Sequence, residues 1–407
     1  MIGWEYPPFL SGGLGVHCYE LSRRLAELGI EVDFYMPATR QTIAGAPGVN
    51  VIQVGPANRE EAELAAGTGA YGGESTRTRG WWEKIQPIDL QFFDAVAFFN
   101  ELCWRRLAAN HQRRRDDVIH CHDWVSIVAG ARAKEKTGLP LVFTVHSTEY
   151  DRSANLWPMQ WIVNLEKLGV ERADRIITVS EMTKRELVDR FGADEAKIRV
   201  VYNAVDYSFF ANHSKKRLAD DGRKLVLFHG RLSVQKGAEY FLRAAKRVLE
   251  KERDVRFVVS GKGEQLPYLV KLAVELGIAD KVTFTGYSPE EELPSLYASA
   301  DVYVLPSVSE PFGITVLEAM ASGTPVILSK NAGVAEVAKN CLRVDFWDVD
   351  EMAAKIVALL RYPSLGREMR KMERREASRF SWADTAAKTL QVYCEAIASG
   401  VALPVMS

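Results

Sequence analysis

Cysteine is scarce in this chain: five in 407 residues, at Cys18, Cys103, Cys121, Cys341 and Cys394, far apart and never in C-x-x-C spacing. That scatter argues against a disulfide framework and against a cysteine zinc cluster, and it predicts a reducing, cytoplasmic setting. A surplus of one charge is lacking too. With 52 Lys plus Arg against 53 Asp plus Glu, the net charge of −1 supplies no global field to draw nucleic acid or an anionic membrane. Any anion site has to be local. No stretch of about 18 uncharged apolar residues suggests a transmembrane span, and no charged start leading into an apolar run resembles a signal peptide. Solenoid repeats, low-complexity tracts, a nucleophile elbow, a serine or cysteine with an ordered base and a bond-flanking pair of carboxylates are equally absent.

What the chain does have is alternation. Short β-branched runs alternate with segments of helical period, which predicts an α/β fold with parallel strands joined by crossover helices. Residues 31–36, 117–121, 140–145, 175–179 and 198–201 read as one strand set. Residues 224–228, 255–259, 281–285, 301–305 and 325–329 read as a second. Between them, 203–223 is polar and without period, as expected of a domain connection. The predicted domains are therefore 1–205, completed by a C-terminal helix within 380–407, and 206–379. Two doubly wound sheets place ligands at the carboxyl ends of their strands, so the site is expected between the domains. Two features interrupt the pattern. The first strand has only Met1 to Gly3 before Trp4 to work with, and 41–86 is a glycine-rich excursion with Trp81 and Trp82 that reads either as an acceptor-binding insertion or as a plain hairpin.

The residues that carry chemistry sit at strand ends. Gly12-Gly13-Leu14-Gly15 opens a helix, where glycine admits a phosphate to the backbone and the helix start offers free N–H groups. The order is not G-x-G-x-x-G, so a dinucleotide fingerprint is missing. In the second half, His229-Gly230-Arg231 ends a strand and Lys236 opens the next helix. Two cations there can neutralise a diphosphate while Gly230 lets it approach. Gly261-Lys262-Gly263 turns after the following strand toward the same crevice. Ser309 to Met320 is the most informative segment: Glu310 ends a loop, Pro311 is placed to start a helix, and Glu318 lies eight residues on, about 12 Å along an ideal axis. Those carboxylates are too far apart to share a proton but can grip two parts of one extended ligand. Glu318, among Leu317, Ala319 and Met320, needs a partner. His120, His122 and Asp123 end one strand and His146 the next, where histidines can bind or polarise a substrate. The local spacing of His120, His122 and Asp123 is unpersuasive for zinc, so no metal is expected.

Taken together, these motifs resemble the retaining nucleotide-sugar glycosyltransferases of the GT-B fold, in the broad group of glycogen, starch and sucrose synthases. The resemblance spans nearly the whole chain: HCHDW at 120–124, TVHS at 144–147, ITVSE at 177–181, YNAVD at 202–206, HGRLSVQKG at 229–237 and SEPFGITVLEA at 309–319. The opening WEYPPFLSGGLG is similar to the start of glycogen synthases. The resemblance implies that Arg231 and Lys236 neutralise the leaving diphosphate, with Gly12 and Gly13 supplying backbone donors across the cleft and Gly230 and Gly261 lining the phosphate side. It implies that Glu310 holds donor-sugar hydroxyls, helped by the backbone at Phe312, Gly313 and Ile314. Glu318 would bind ribose, Tyr287 would lie near the nucleobase, and His122 would lie beside the anomeric centre, stabilising positive charge or holding a sugar hydroxyl; His146, read from its strand end, is a possible further substrate-binding residue.

The implied reaction moves a sugar, expected to be glucose, from an ADP-, UDP- or GDP-linked donor to a carbohydrate acceptor, with α-1,4-glucan as the leading product and no cofactor or metal. The alternatives are a transferase using a small or lipid-linked acceptor, and an epimerase or hydrolase of the same fold. One departure stands out: glycogen synthases carry lysine in K-x-G-G-L, whereas here Leu10-Ser11 precede the glycines. The oligomeric state stays open.

Overall fold

The computed structural model describes residues 1–8, 12–39, 41–55, 90–212 and 222–400. Residues 56–86 of the glycine-rich excursion, with both tryptophans, lie outside the described residues, as do Leu10 and Ser11.

The first sheet is built on a single residue. Strands β1 (Val32–Pro37) and β2 (Val49–Val54) pair in parallel, as do β3 (Ile119–His122), β4 (Leu141–Val145), β5 (Arg175–Thr178) and β6 (Ile198–Val200). Ile2 bridges Tyr35 of β1 on one side and Cys121 of β3 on the other, through hydrogen bonds such as Ile2 N to His120 O at 2.8 Å. The expected short first strand is thus a one-residue splice between two strand groups. Strands β3 and β4 are buried on both faces, β4 as a largely apolar run and β3 with His120 and His122 carried inside.

The second sheet runs β12-β11-β10-β7-β8-β9, all parallel, from β7 (Lys224–His229), β8 (Val255–Ser260), β9 (Val282–Gly286), β10 (Val302–Leu305), β11 (Val326–Ser329) and β12 (Leu342–Val344). Chain order reverses between β7 and β10, the kind of switch point where an open α/β sheet leaves a crevice at its strand ends. The helices covering the sheet show why they fold where they do. Helix Ala238–Leu249 buries Ala238, Phe241, Leu242, Ala244, Ala245 and Val248, a 3–4 spacing that lays one apolar stripe on the strands. Lys246 and Arg247 fall in its last turn, where cations favour the helix dipole.

Two features go beyond the sequence reading. The connection between the sheets carries a short helix at Tyr207–Ala211. Asp206 caps the helix Tyr207–Ala211 by accepting from Phe209 N at 3.0 Å, and Phe210 is buried among Leu296, Tyr297 and Leu317. Strands β2 and β12, absent from the sequence reading, extend the two sheets at their edges. The chain's last described helix, Trp382–Gly400, returns to the first sheet. Its Ala386, Val392, Tyr393 and Ala396 share a core with Cys18, Leu21 and Leu25 of helix α1 (Gly13–Glu27), and Glu395 takes both Arg175 (3.1 Å) and Arg199 (2.8 Å).

Candidate active site

On the second-domain side the site is made by backbones that touch because glycine lets them. Gly261 has φ +139°, and a Cβ there would stand 1.9 Å from Gly230 O. The turns after β7 and β8 therefore press together, main chain to main chain. Gly237, at φ +67°, would clash in the same way with Pro306 O at 2.1 Å, so the Lys236 turn seats on the loop that follows β10. Across that contact Lys236 Nζ donates to Glu310 Oε2 at 2.6 Å, and Ser307 Oγ donates to the same oxygen at 3.1 Å. Glu310 is itself fixed by its main chain, with its N–H on Asn331 O (3.0 Å) and its carbonyl accepting from Gly333 N (2.8 Å).

Helix Ile314–Ser322 starts at Ile314, three residues beyond Pro311 and directly after Gly313 with φ +106°, and has no side-chain cap. Its first N–H groups are thus left for a ligand. Glu318 finds the partner its sequence context demands: buried Tyr297 donates to it at 2.8 Å. Burial pushes the Glu318 carboxyl up to about 7, against the pull of that hydrogen bond. Tyr287 is exposed on the turn after β9, with the Lys262 ammonium 5.4 Å from its ring centre. His229 ends β7 against Ser260 Oγ (3.0 Å), and burial lowers it to about 4.

Across the cleft, the position of a Cβ on Gly12 lies 3.5 Å from Arg231 Nη2, and that of Gly13 lies 3.5 Å from Ile314 Cδ1. Arg231, Lys236, Glu310 and the glycine turn therefore converge on one crevice. The floor on the first-domain side is histidine. His122 is fully buried, with Nδ1 3.1 Å from His146 Nε2. His17, one helical turn past Gly13 on α1, packs against His146 with ring centres 4.4 Å apart and holds Asn203 Oδ1 at 2.7 Å. Burial lowers His17 and His122 well below the ordinary value, and His146 to about 3. His120 takes no part: its ring is spent on Tyr393 and Thr144, both at 2.7 Å.

Asp123, which follows His122, has φ 56° and ψ 176°, a region that side chains avoid. Its Oδ1 accepts from His146 N at 2.7 Å, so the strained residue is also the one that sets the second histidine. Burial raises its carboxyl to about 6, opposed by the Arg152 charge. Arg152 is held by Glu149, Glu166 and the Ser147 carbonyl.

Sequence reasoning missed His17 and Asn203. The signal for His17 was its place four residues after Gly13, on the same helix face. Asn203 gave none, since only the fold brings the segment after β6 under α1.

Comparison with known proteins fits this crevice. Residues 11–209 match the model described as Glycosyltransferase Family 4, and 209–377 match Glycosyl transferases group 1. An uncharacterized glycosyltransferase of Methanocaldococcus jannaschii is 35% identical over 84% of this chain and 82% of its own. The chain belongs to the group 1 glycosyltransferases. A D-inositol 3-phosphate glycosyltransferase of Catenulispora acidiphila is similar to this glycosyltransferase at 32% identity, covering 95% of this chain and 91% of that one. In structure it is similar to sucrose-phosphate synthase from Thermosynechococcus elongatus (TM-score 0.80, 22% identity, 98% and 100% covered). It is also similar to the Anabaena protein HepE in complex with UDP and glucose (TM-score 0.70, 18% identity, 97% and 99% covered). The glycosyltransferase therefore has the GT-B fold. Among its described residues no helix is long and apolar enough to cross a membrane.

Proposed function

We propose that this enzyme transfers a hexose from a nucleoside-diphosphate donor to a small polyhydroxy acceptor, with retention at the anomeric carbon. The observation that carries the reading is the meeting of Lys236 and Glu310 at 2.6 Å, with Arg231 brought to the Gly12 turn. Breaking a sugar–phosphate bond builds negative charge on the diphosphate and positive charge on the sugar ring. Arg231 and Lys236 stand ready for the first, so their charge needs no reorganisation at the moment of cleavage. Glu310 receives donor-sugar hydroxyls while Lys236 bridges it to the phosphate. The uncapped helix at Gly313 adds N–H donors, and Glu318 takes the ribose.

On the opposite wall His122 is neutral, because burial among His120, His146 and His17 opposes its protonation. A neutral imidazole can accept from a sugar hydroxyl or face the developing cation without repelling it. Its Nε2 is buried and unpartnered, a free polar atom in the place the reading assigns to the sugar. With the leaving diphosphate held on the face from which the acceptor enters, a diphosphate oxygen takes the acceptor proton, and no protein nucleophile is needed.

The acceptor is the point at which the sequence reading shifts. The glucan product rested on the resemblance to glycogen synthases, from which Leu10-Ser11 already depart. D-inositol 3-phosphate glycosyltransferases are similar to this chain over nine-tenths of its length, which favours a small acceptor. The test is nucleoside diphosphate release from UDP-, ADP- and GDP-sugars with inositol phosphate, free sugars or maltooligosaccharide. Acceptor-dependent release with a small polyol or its phosphate supports the reading. Maltooligosaccharide as the best acceptor restores the glucan synthase, and full release without acceptor makes the enzyme a hydrolase.

A further inference from the structure

We propose that His17, His122 and His146 form a site for a divalent transition metal of the zinc class, and that filling it switches transfer off. One ring nitrogen from each of the three lies within 4.8 Å of the others, and the rings come from three separate elements: α1, the end of β3 and the turn after β4. No local spacing in the sequence joins them.

Three details of the cluster suit a metal. First, His122 Nδ1 and His146 Nε2 are 3.1 Å apart. Two imidazoles bound at about 2.0–2.1 Å around a tetrahedral zinc stand about 3.3 Å apart, so this edge is already near its bound length. Second, His17 Nδ1 faces Asn203 Oδ1 at 2.7 Å. A carboxamide oxygen only accepts, so the proton sits on Nδ1 and the lone pair on Nε2. An outer hydrogen bond of this kind fixes a ring as a ligand. Third, His17 Nε2, the nitrogen left with the lone pair, is buried without a partner, and a metal ion would supply one.

The donor set also selects the ion. Three imidazoles suit zinc, copper or nickel, whereas magnesium and calcium want oxygen. The hydrogen bond between His122 Nδ1 and His146 Nε2 places a proton on one of the two, and metal binding moves it to that ring's other nitrogen or releases it. His146 is only half-buried, so the cluster is reached from the cleft, and three protein ligands leave a fourth position open. The inhibitory consequence rests on the proposed role of His122 beside the sugar. The metal site itself does not.

Cobalt is the probe, because four-coordinate cobalt absorbs intensely in the visible and needs no substrate to be seen. Titrating the full chain with Co²⁺ is expected to give those bands at one equivalent, with Zn²⁺ displacing them. His17→Asn and His146→Asn, each checked for folding by circular dichroism, should lose the bands. Asn203→Ala, which removes only the outer partner, should weaken binding about 10–100-fold. Should either histidine variant fail to fold, protection of the wild-type histidines from diethyl pyrocarbonate by Zn²⁺, mapped by peptide mass, replaces it. Absence of bands at one equivalent, or bands of equal strength in both histidine variants, overturns the site. If the bands appear but Zn²⁺ leaves nucleotide release unchanged, the site stands, and the coupling to transfer and the placing of His122 at the sugar are what fail.

Discussion

Ser309 Oγ donates to Asp151 Oδ1 at 2.5 Å, a bond that crosses the cleft one residue before Glu310. The other oxygen of Asp151 accepts from Thr148 N at 2.9 Å, so the loop after His146 and the loop that carries Glu310 are tied through one carboxylate. A second tie lies farther along the same face, where Glu336 accepts from Glu181 N (2.9 Å) and Met182 N (2.7 Å) at the start of helix Glu181–Phe191. These bonds tie the two walls of the crevice to each other.

Removing the first tie should cost turnover and spare stability. Ser309→Ala is expected to lower kcat/KM several-fold, because one hydrogen bond contributes about 0.5–1.5 kcal/mol net and this one holds the two walls in register. Thermal melting should move little, since each sheet keeps its own core. Unchanged kinetics would show that the bond does not govern closure.

Gly261 and Gly12, placed by the proposed function on either side of the diphosphate, should separate folding from function. Gly261→Ala drives a methyl into Gly230 O at 1.9 Å, at a positive φ, and should destabilise the fold by several kcal/mol. Gly12→Ala meets only the flexible end of Arg231 at 3.5 Å, so it should fold normally and bind donor more weakly. Chemical denaturation paired with donor affinity checks both. Equal stability losses in the two variants would contradict the close approach of the loops.

Asp123 should show its strain when replaced. Asp123→Gly removes the side chain and relieves the backbone, whereas Asp123→Ala removes the side chain alone. The glycine variant is expected to be the more stable of the two by about 1–3 kcal/mol, with both losing activity because His146 N loses its acceptor. An alanine variant as stable as the glycine one would remove the strain from the account.

Glu373 predicts a pH dependence with a definite sign. Burial pushes its carboxyl from the ordinary 4.5 up to about 8, while its Oε1 accepts from Val326 N at 3.1 Å. The folded state then holds a proton that the unfolded state has already released, so this group's contribution falls as pH rises from about 4.5 to 8. Glu373→Gln keeps the amide acceptor and should flatten that part of the melting-temperature profile. An unchanged slope in the variant would show that Glu373 does not carry it.

The chain alone disclosed most of the scaffold, and the reason is physical. Fully buried parallel strands such as Leu141–Val145 leave short, β-branched and largely apolar runs between helical segments. The β2 strand escaped because it is an edge strand beside a glycine-rich stretch, and Leu342–Val344 because three residues carry no period. At the site, Lys236, Glu310 and Glu318 were legible because charge at a strand end or within an apolar helix is conspicuous. Glu318 was even expected to need the partner that Tyr297 supplies. Asn203 and the Asp151–Ser309 bond were not legible, because each depends on segments more than a hundred residues apart being folded together; His17 carried a local signal, one turn past Gly13, that went unread.

The most direct test of the central claim is the turnover of Lys236→Ala with the best donor and acceptor, read as nucleoside diphosphate release by a protein whose melting curve matches the wild type. Loss of about 10²–10³-fold in kcat is predicted, the scale of removing one preorganised charge contact from a transition state. Turnover at the wild-type rate would contradict the claim that Lys236, paired with Glu310, carries the departing diphosphate.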